Sequence, residues 1–146
     1  MTLSEGSFRI ARGIVMIGGT GIIQVFAQLL LSRIMLALPR PHGSSQPTFY
    51  MIAHSVSAVL VLMGGHLLQV VWWAMLYHFD WGEFANFETA LYFSLSSFTT
   101  VGANELALSP DHRMVGALES AVGMLMFGWS TALLVRVIQR SDVVDK

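Results

Sequence analysis

Ser96-Ser97-Phe98-Thr99-Thr100-Val101-Gly102-Ala103-Asn104-Glu105 decides how this chain folds, because it joins a short apolar run to a polar, glycine-containing turn. The apolar run, Phe87 to Phe98, is too short to cross a bilayer. At 1.5 Å per residue, crossing about 30 Å of hydrocarbon takes about 20 residues. A helix that enters the membrane and stops there leaves irregular backbone behind it. Such backbone survives at membrane depth only where protein buries it or water reaches it.

The rest of the chain supplies that setting. With 54% apolar and 12% charged residues and a mean hydropathy of +0.62, it is too apolar for a soluble domain of 146 residues and reads as an integral membrane protein. Three stretches are long enough to span: Gly13 to Leu38, Met51 to Tyr77 and Met114 to Ile138. The first is not a secretory signal, since its apolar run exceeds the roughly 7 to 15 residues of such signals and no Ala-x-Ala-like site follows. The absence of cysteine rules out disulfides and thiolate metal sites. A net charge of −1 argues against a nucleic-acid partner. Pro39 to Pro47 holds three of the four prolines and reads as a loop. Trp72, Trp73, Tyr77 and Trp81 read as an aromatic belt at a membrane interface, and Asn86 as an N-cap of the short helix. A re-entrant loop implies a water-filled path that one small chain cannot enclose, so several copies are expected around an axis.

The opening stretch resembles the selectivity filter of the potassium channel family, Thr-Thr-Val-Gly-Tyr-Gly-Asp. Thr99, Thr100, Val101 and Gly102 match it, while Ala103 stands at the Tyr, Asn104 at the second Gly and Glu105 at the Asp. The flanks carry the same resemblance. Phe87 to Ser94 is similar to the family's pore helix, with Tyr92 and Phe93 as the aromatic pair around the filter and Ser96 and Ser97 closing the helix. Arg113, Gly123, Phe127 and Gly128 look like the start, hinge and lower half of its inner helix. Arg113 and Gly123 both fall one residue closer to the filter than in bacterial members, which a single deletion between Leu106 and His112 accounts for. The resemblance covers roughly Met51 to Gln139 and leaves Met1 to Tyr50 outside.

What this resemblance implies is an all-α membrane protein: three transmembrane helices plus a re-entrant pore helix and filter loop, forming a potassium-channel-like tetrameric pore. Residues 1–50 would form an extra helix and Pro-rich loop, 51–140 the pore domain and 141–146 a short tail. The Thr100 hydroxyl and the carbonyls of Thr100, Val101 and Gly102 would bind K+ or Na+, with Thr99, Ala103 and Asn104 completing the filter. Asn104 tolerates the positive φ that the family's glycine adopts. Ala103 lacks the ring that braces the filter, leaving Tyr92 and Phe93 without that partner unless Phe98 or a neighbouring chain fills the gap. A wider outer filter with fewer ion sites, and weaker selection between potassium and sodium, is expected. Glu105, repeated in four copies, would ring the outer mouth with carboxylates that concentrate cations and can hold a divalent ion, with Asp111 in the same vestibule. Gly123 and Gly128 would form the gating hinge, and Ser130 and Thr131 would line the inner cavity.

Family topology puts Arg33, Arg40, Arg136, Arg140 and Lys146 inside and Arg9, Arg12 and Arg113 outside, five against three. Whether the first stretch spans or lies on the membrane stays open at this level. Glu119, an ionisable residue in an apolar span, would pair with Arg113, tie the inner helix to the pore helix or sit near the interface. Gln24 and Gln28, one turn apart, suit hydrogen bonding between helices. His54, His66 and His78 are each 12 residues apart, which advances about 120° per step, so they do not converge on one haem or metal. Gly18-Gly19-Thr20-Gly21 lies in an apolar span and is no phosphate loop.

The expectation is a homotetrameric channel, not an enzyme, in the cell (inner) membrane. It conducts K+ and other monovalent cations with reduced selectivity and needs no cofactor beyond the permeant ions. The alternatives are a potassium-selective channel with a compensated filter, and a non-conducting regulatory or interaction subunit, alone or with a partner chain.

Overall fold

The computed structural model describes residues 3–37, 48–103 and 105–142; the Pro-rich loop with Arg40, the filter position Asn104 and the terminal Lys146 lie outside the described residues. Four helices follow one another: α1 (Leu3–Ala37), α2 (Thr48–Met75), α3 (Phe87–Phe98) and α4 (Arg113–Asp142). α2 continues into a π turn, Leu76–Asp80. Three helices are long and apolar enough to span, over Ala11–Ala37, Ile52–Asp80 and Arg113–Gln139, within a few residues of the stretches read from hydropathy. The chain is a multi-pass membrane protein.

Direction follows from side-chain pairings. Arg12 meets Asp80 in an ion pair, the Trp72 indole donates to the Met16 carbonyl at 3.3 Å and Gln69 donates to Gln24 at 2.9 Å. As α1 numbers rise α2 numbers fall, so α1 runs antiparallel to α2 and parallel to α4, with its amino end beside the filter side of the molecule. Small residues allow the close approach: a Cβ on Gly19 would lie 2.6 Å from the Trp72 indole nitrogen, and one on Gly65 would lie 2.9 Å from the Ala27 Cβ.

A ring of polar side chains closes the centre of this three-helix contact. Gln69 donates to Gln24 at 2.9 Å, Gln24 donates to Ser130 at 3.0 Å, Ser130 meets His66 Nε2 at 3.0 Å, and His66 Nδ1 meets Gln69 Oε1 at 3.4 Å. With the proton on His66 Nδ1, every member donates once and accepts once around the ring. All four are buried, which such mutual satisfaction permits in hydrocarbon. Gln28 adds a second link by accepting from the Trp129 indole at 3.1 Å. Both glutamines of α1 therefore serve as interhelical hydrogen-bonding groups.

Two of the four aromatic residues read as an interfacial belt lie inside the protein instead, while Trp72 and Trp81 are half-buried. Trp73 and Tyr77 are fully buried in the protein core with Phe93 and Phe98. Their polar tips find partners there, Trp73 donating to Thr20 at 3.0 Å and Tyr77 to Glu119 at 2.7 Å, so burial leaves no donor unsatisfied. The apolar side chains that remain exposed, such as Ile14, Phe26, Leu30 and Leu60, cover the spanning helices as a lipid-facing surface requires.

Gly82, at φ +63°, turns the chain after the π turn. Asn86 stands at the N-cap of α3 in extended conformation, but its side chain makes no cap bond; the helix start is held by the Ala90 N–H to the Asn86 carbonyl at 3.2 Å. α3 has 12 residues and stops inside the bundle.

Candidate filter loop

α3 ends at mid-depth. Phe98 is fully buried, its ring 6.0 Å from His66 and 5.6 Å from Phe127, and both neighbours lie well inside their spans. The loop after it thus begins far from either end of the bundle. Its backbone curls against the end of α3: Thr99 N–H bonds the Leu95 carbonyl at 3.1 Å, Thr100 N–H the Ser97 carbonyl at 2.9 Å and Gly102 N–H the Ser96 carbonyl at 3.0 Å. The Thr99 hydroxyl donates to the Leu95 carbonyl at 2.7 Å.

Thr100 has φ +62° and Gly102 φ +82°. For glycine that region costs nothing. For a β-branched threonine it is an outlier costing about 1–2 kcal/mol, and strain of this kind concentrates at functional sites. Thr100, Val101 and Gly102 are exposed on the single chain, Val101 to 79%. Ala103 is half-buried and its carbonyl accepts from Leu106 N–H at 2.9 Å, so the chain turns again where the family pattern has its Tyr.

The two aromatic residues of the expected cuff have different surroundings. Phe93 is buried against Tyr77, edge to face at 5.4 Å, and Phe84 at 5.1 Å; it has partners without any filter ring. Tyr92 is 58% exposed. Phe98 packs on His66 and Phe127, and Ala103 lies against the same core.

α4 holds α3 along one face of small and polar residues. Gly116 lies against the Phe93 ring, Ser120 donates to the Ser97 carbonyl at 2.7 Å, and a Cβ on Gly123 would stand 2.0 Å from the Phe98 carbonyl oxygen. Gly123 thus has a packing function beside its expected place at a hinge, and Gly128 faces open space. Ser130 is buried in the polar ring rather than lining an open cavity, and Thr131 is exposed with its hydroxyl on the Phe127 carbonyl at 2.9 Å. A groove of about 640 Å³ opens between the loop and α4, with Ser97, Thr100, Gly102, Arg113 and Ser120 among its walls.

Beyond the loop, Glu105 and Asp111 are exposed, and a clamp with no signal in the residue pattern ties together the linkers on either side of α3 and the loop. Glu83 accepts from the Ser109 N–H at 2.9 Å and the Ser109 hydroxyl at 2.6 Å, and it pairs with His112. His112 stacks on Trp81 at 4.0 Å. Burial pushes the Glu83 carboxyl up, but the hydrogen bonds from Ser109 and His112 outweigh it and hold the group below the usual carboxylate range. Glu119 is fully buried and bonded to Tyr77 and Ser94, not to Arg113.

A family model described as "Ion channel" matches residues 65–140, just over half of the chain. No curated protein and no solved structure matches it.

Proposed function

Because the chain belongs to the ion channel family, with a two-span pore domain of potassium-channel type, we propose that it assembles as a homotetramer whose Thr99 to Asn104 loops line a path for K+ and other monovalent cations. The observation that carries this reading is the exposed backbone of Thr100, Val101 and Gly102, strained at Thr100, in a loop that starts at mid-depth of the spanning helices. Backbone of that kind cannot face lipid. Further copies of the chain would cover it and the groove beside it, leaving the loop facing an aqueous axis. Carbonyls there would replace the water shell of a cation. The α3 helices would add the negative ends of their dipoles, which favours cations over anions.

Reduced selectivity follows from Ala103. The Ala103 carbonyl, already engaged by the Leu106 N–H, would drop out of the run of carbonyls able to stack along an axis, and a methyl group cannot replace the missing ring. Fewer coordinating groups discriminate less between potassium and sodium. Glu105 would ring the outer mouth, where it raises local cation concentration and offers oxygen ligands to a divalent ion. No enzymatic step and no cofactor belong to this reading, and the cell membrane is its setting.

The test is the reversal potential of the full chain in a planar bilayer with potassium on one side and sodium on the other. A value near zero with clear current supports a weakly selective cation pore. A value near the potassium limit replaces it with a selective channel. No current in either salt removes conduction and leaves the non-conducting subunit.

A further inference from the structure

Glu119 stands at the junction of three helices. It projects from α4, is fully buried, receives the Tyr77 hydroxyl of the π turn at 2.7 Å and lies 2.5 Å from the Ser94 hydroxyl of α3. Ser94 also lies 2.8 Å from the Val70 carbonyl of α2. A serine hydroxyl has one proton, and a carbonyl oxygen can only accept. If Ser94 gives its proton to Val70, the proton in the contact with Glu119 comes from the carboxyl group. Tyr77 has no such conflict and donates to the other carboxyl oxygen. Among the described residues no cation pairs with Glu119, and an ionised carboxylate buried without one is strongly disfavoured.

We propose that Glu119 is a neutral carboxylic acid that acts as a positioning residue for the filter. Its O–H donates to Ser94, Ser94 donates to Val70, and its second oxygen accepts from Tyr77. The chain of bonds fixes the depth and rotation of α3 against both neighbouring helices. Ser94 lies just over one turn before Phe98, where α3 hands over to Thr99 and Thr100, so a shift there moves the filter loop as a body. Ser120, on the next residue of α4, holds the Ser97 carbonyl, and the two contacts together set the end of α3 from one face of α4.

This inference rests on the conduction reading for its filter role, while the protonation itself does not. Two measurements on the full chain in lipid separate them: the infrared carbonyl band of a protonated carboxyl group, with Glu119→Gln as the reference that lacks it, and the potassium-to-sodium permeability ratio from reversal potentials. Glutamine keeps one donor for Ser94 and one acceptor for Tyr77, so E119Q should keep the ratio within about twofold. Glu119→Ala and Tyr77→Phe each break the chain and should shift the ratio by about fivefold, the factor one hydrogen bond corresponds to. Y77F removes little volume and gives the result if E119A does not assemble. Current without the band, or E119Q shifting the ratio as far as E119A, overturns the assignment and leaves conduction standing. The band without any current overturns the conduction reading and the filter role with it, while the neutral acid stands.

Discussion

The Phe98 carbonyl oxygen occupies the space that a side chain on Gly123 would need, 2.0 Å from where its Cβ would sit. The obstacle is backbone at the end of α3, so no rotamer change relieves it. Gly123→Ala is therefore expected to push α4 from the pore helix and to lower stability by about 2 kcal/mol or more, the upper range of overpacking. Gly128→Ala, with nothing within 4 Å, should be neutral or gain up to about 1 kcal/mol in helix propensity. Thermal unfolding of the two variants in detergent checks the contrast. Equal effects would mean that Gly123 bends the helix without packing on Phe98.

The polar ring predicts coupling between α1 and α4. Gln24→Leu and Ser130→Ala each leave partners unsatisfied, and their combined cost should fall short of the sum by roughly 0.6–2 kcal/mol. A double-mutant cycle in the detergent-solubilised protein measures it. Strict additivity would show that the 3.0 Å bond between them contributes nothing.

Ala103→Tyr combined with Asn104→Gly restores the family's filter pattern. The double variant should move the reversal potential toward the potassium limit, whereas Ala103→Tyr alone should do less because Phe93 is already engaged with Tyr77 and Phe84. An unchanged reversal potential in the double variant would remove Ala103 as a cause of the proposed weak selection.

In the proposed pore, exposed Glu105 would act by concentrating cations, an effect that salt screens beyond about 10 Å at 0.1 M. Glu105→Gln should lower single-channel conductance by about twofold at low ionic strength and change it little near 1 M. The same loss at both salts would point to a direct ligand role instead.

The outer clamp predicts an acid transition. Because Glu83 is held below its ordinary range in the folded chain, its contribution is fully present above the unfolded value of about 4.3 and is lost as pH falls through the lower folded value. Trp81, stacked on His112 at 4.0 Å, reports this opening. Its emission should change on acidification below the carboxylate range and stay flat in Glu83→Gln. A transition that survives in E83Q would assign it to another group.

The three spans were legible because about 20 apolar residues in a row have few other fates. The filter stretch was legible because Thr99 to Gly102 follows an apolar run too short to span, Tyr92-Phe93 precede it, and Arg113 and Gly123 after it share one offset. Gln24 and Gln28 announced themselves as polar groups in hydrocarbon that must find partners. Which partners they find depends on how α1 crosses α2 and α4, and no local pattern encodes that. The same limit explains Trp73 and Tyr77: an aromatic run near a helix end fits an interfacial belt as well as a buried core, and only Thr20 and Glu119 arriving from other helices make the core possible.

By itself the sequence determined the membrane setting, the helix count, the re-entrant loop and the family, since each rests on length, hydropathy or residues adjacent along the chain. Tertiary structure alone decided that Gly123 makes room for a carbonyl, that Ser130 closes a ring with Gln24, Gln69 and His66, and that Glu119 meets Tyr77 and Ser94. Apart from the His66 to Gln69 link within α2, these contacts join residues from 25 to 106 positions apart, and hydrogen bonding and close packing are set by distance in space, which the order of residues does not contain.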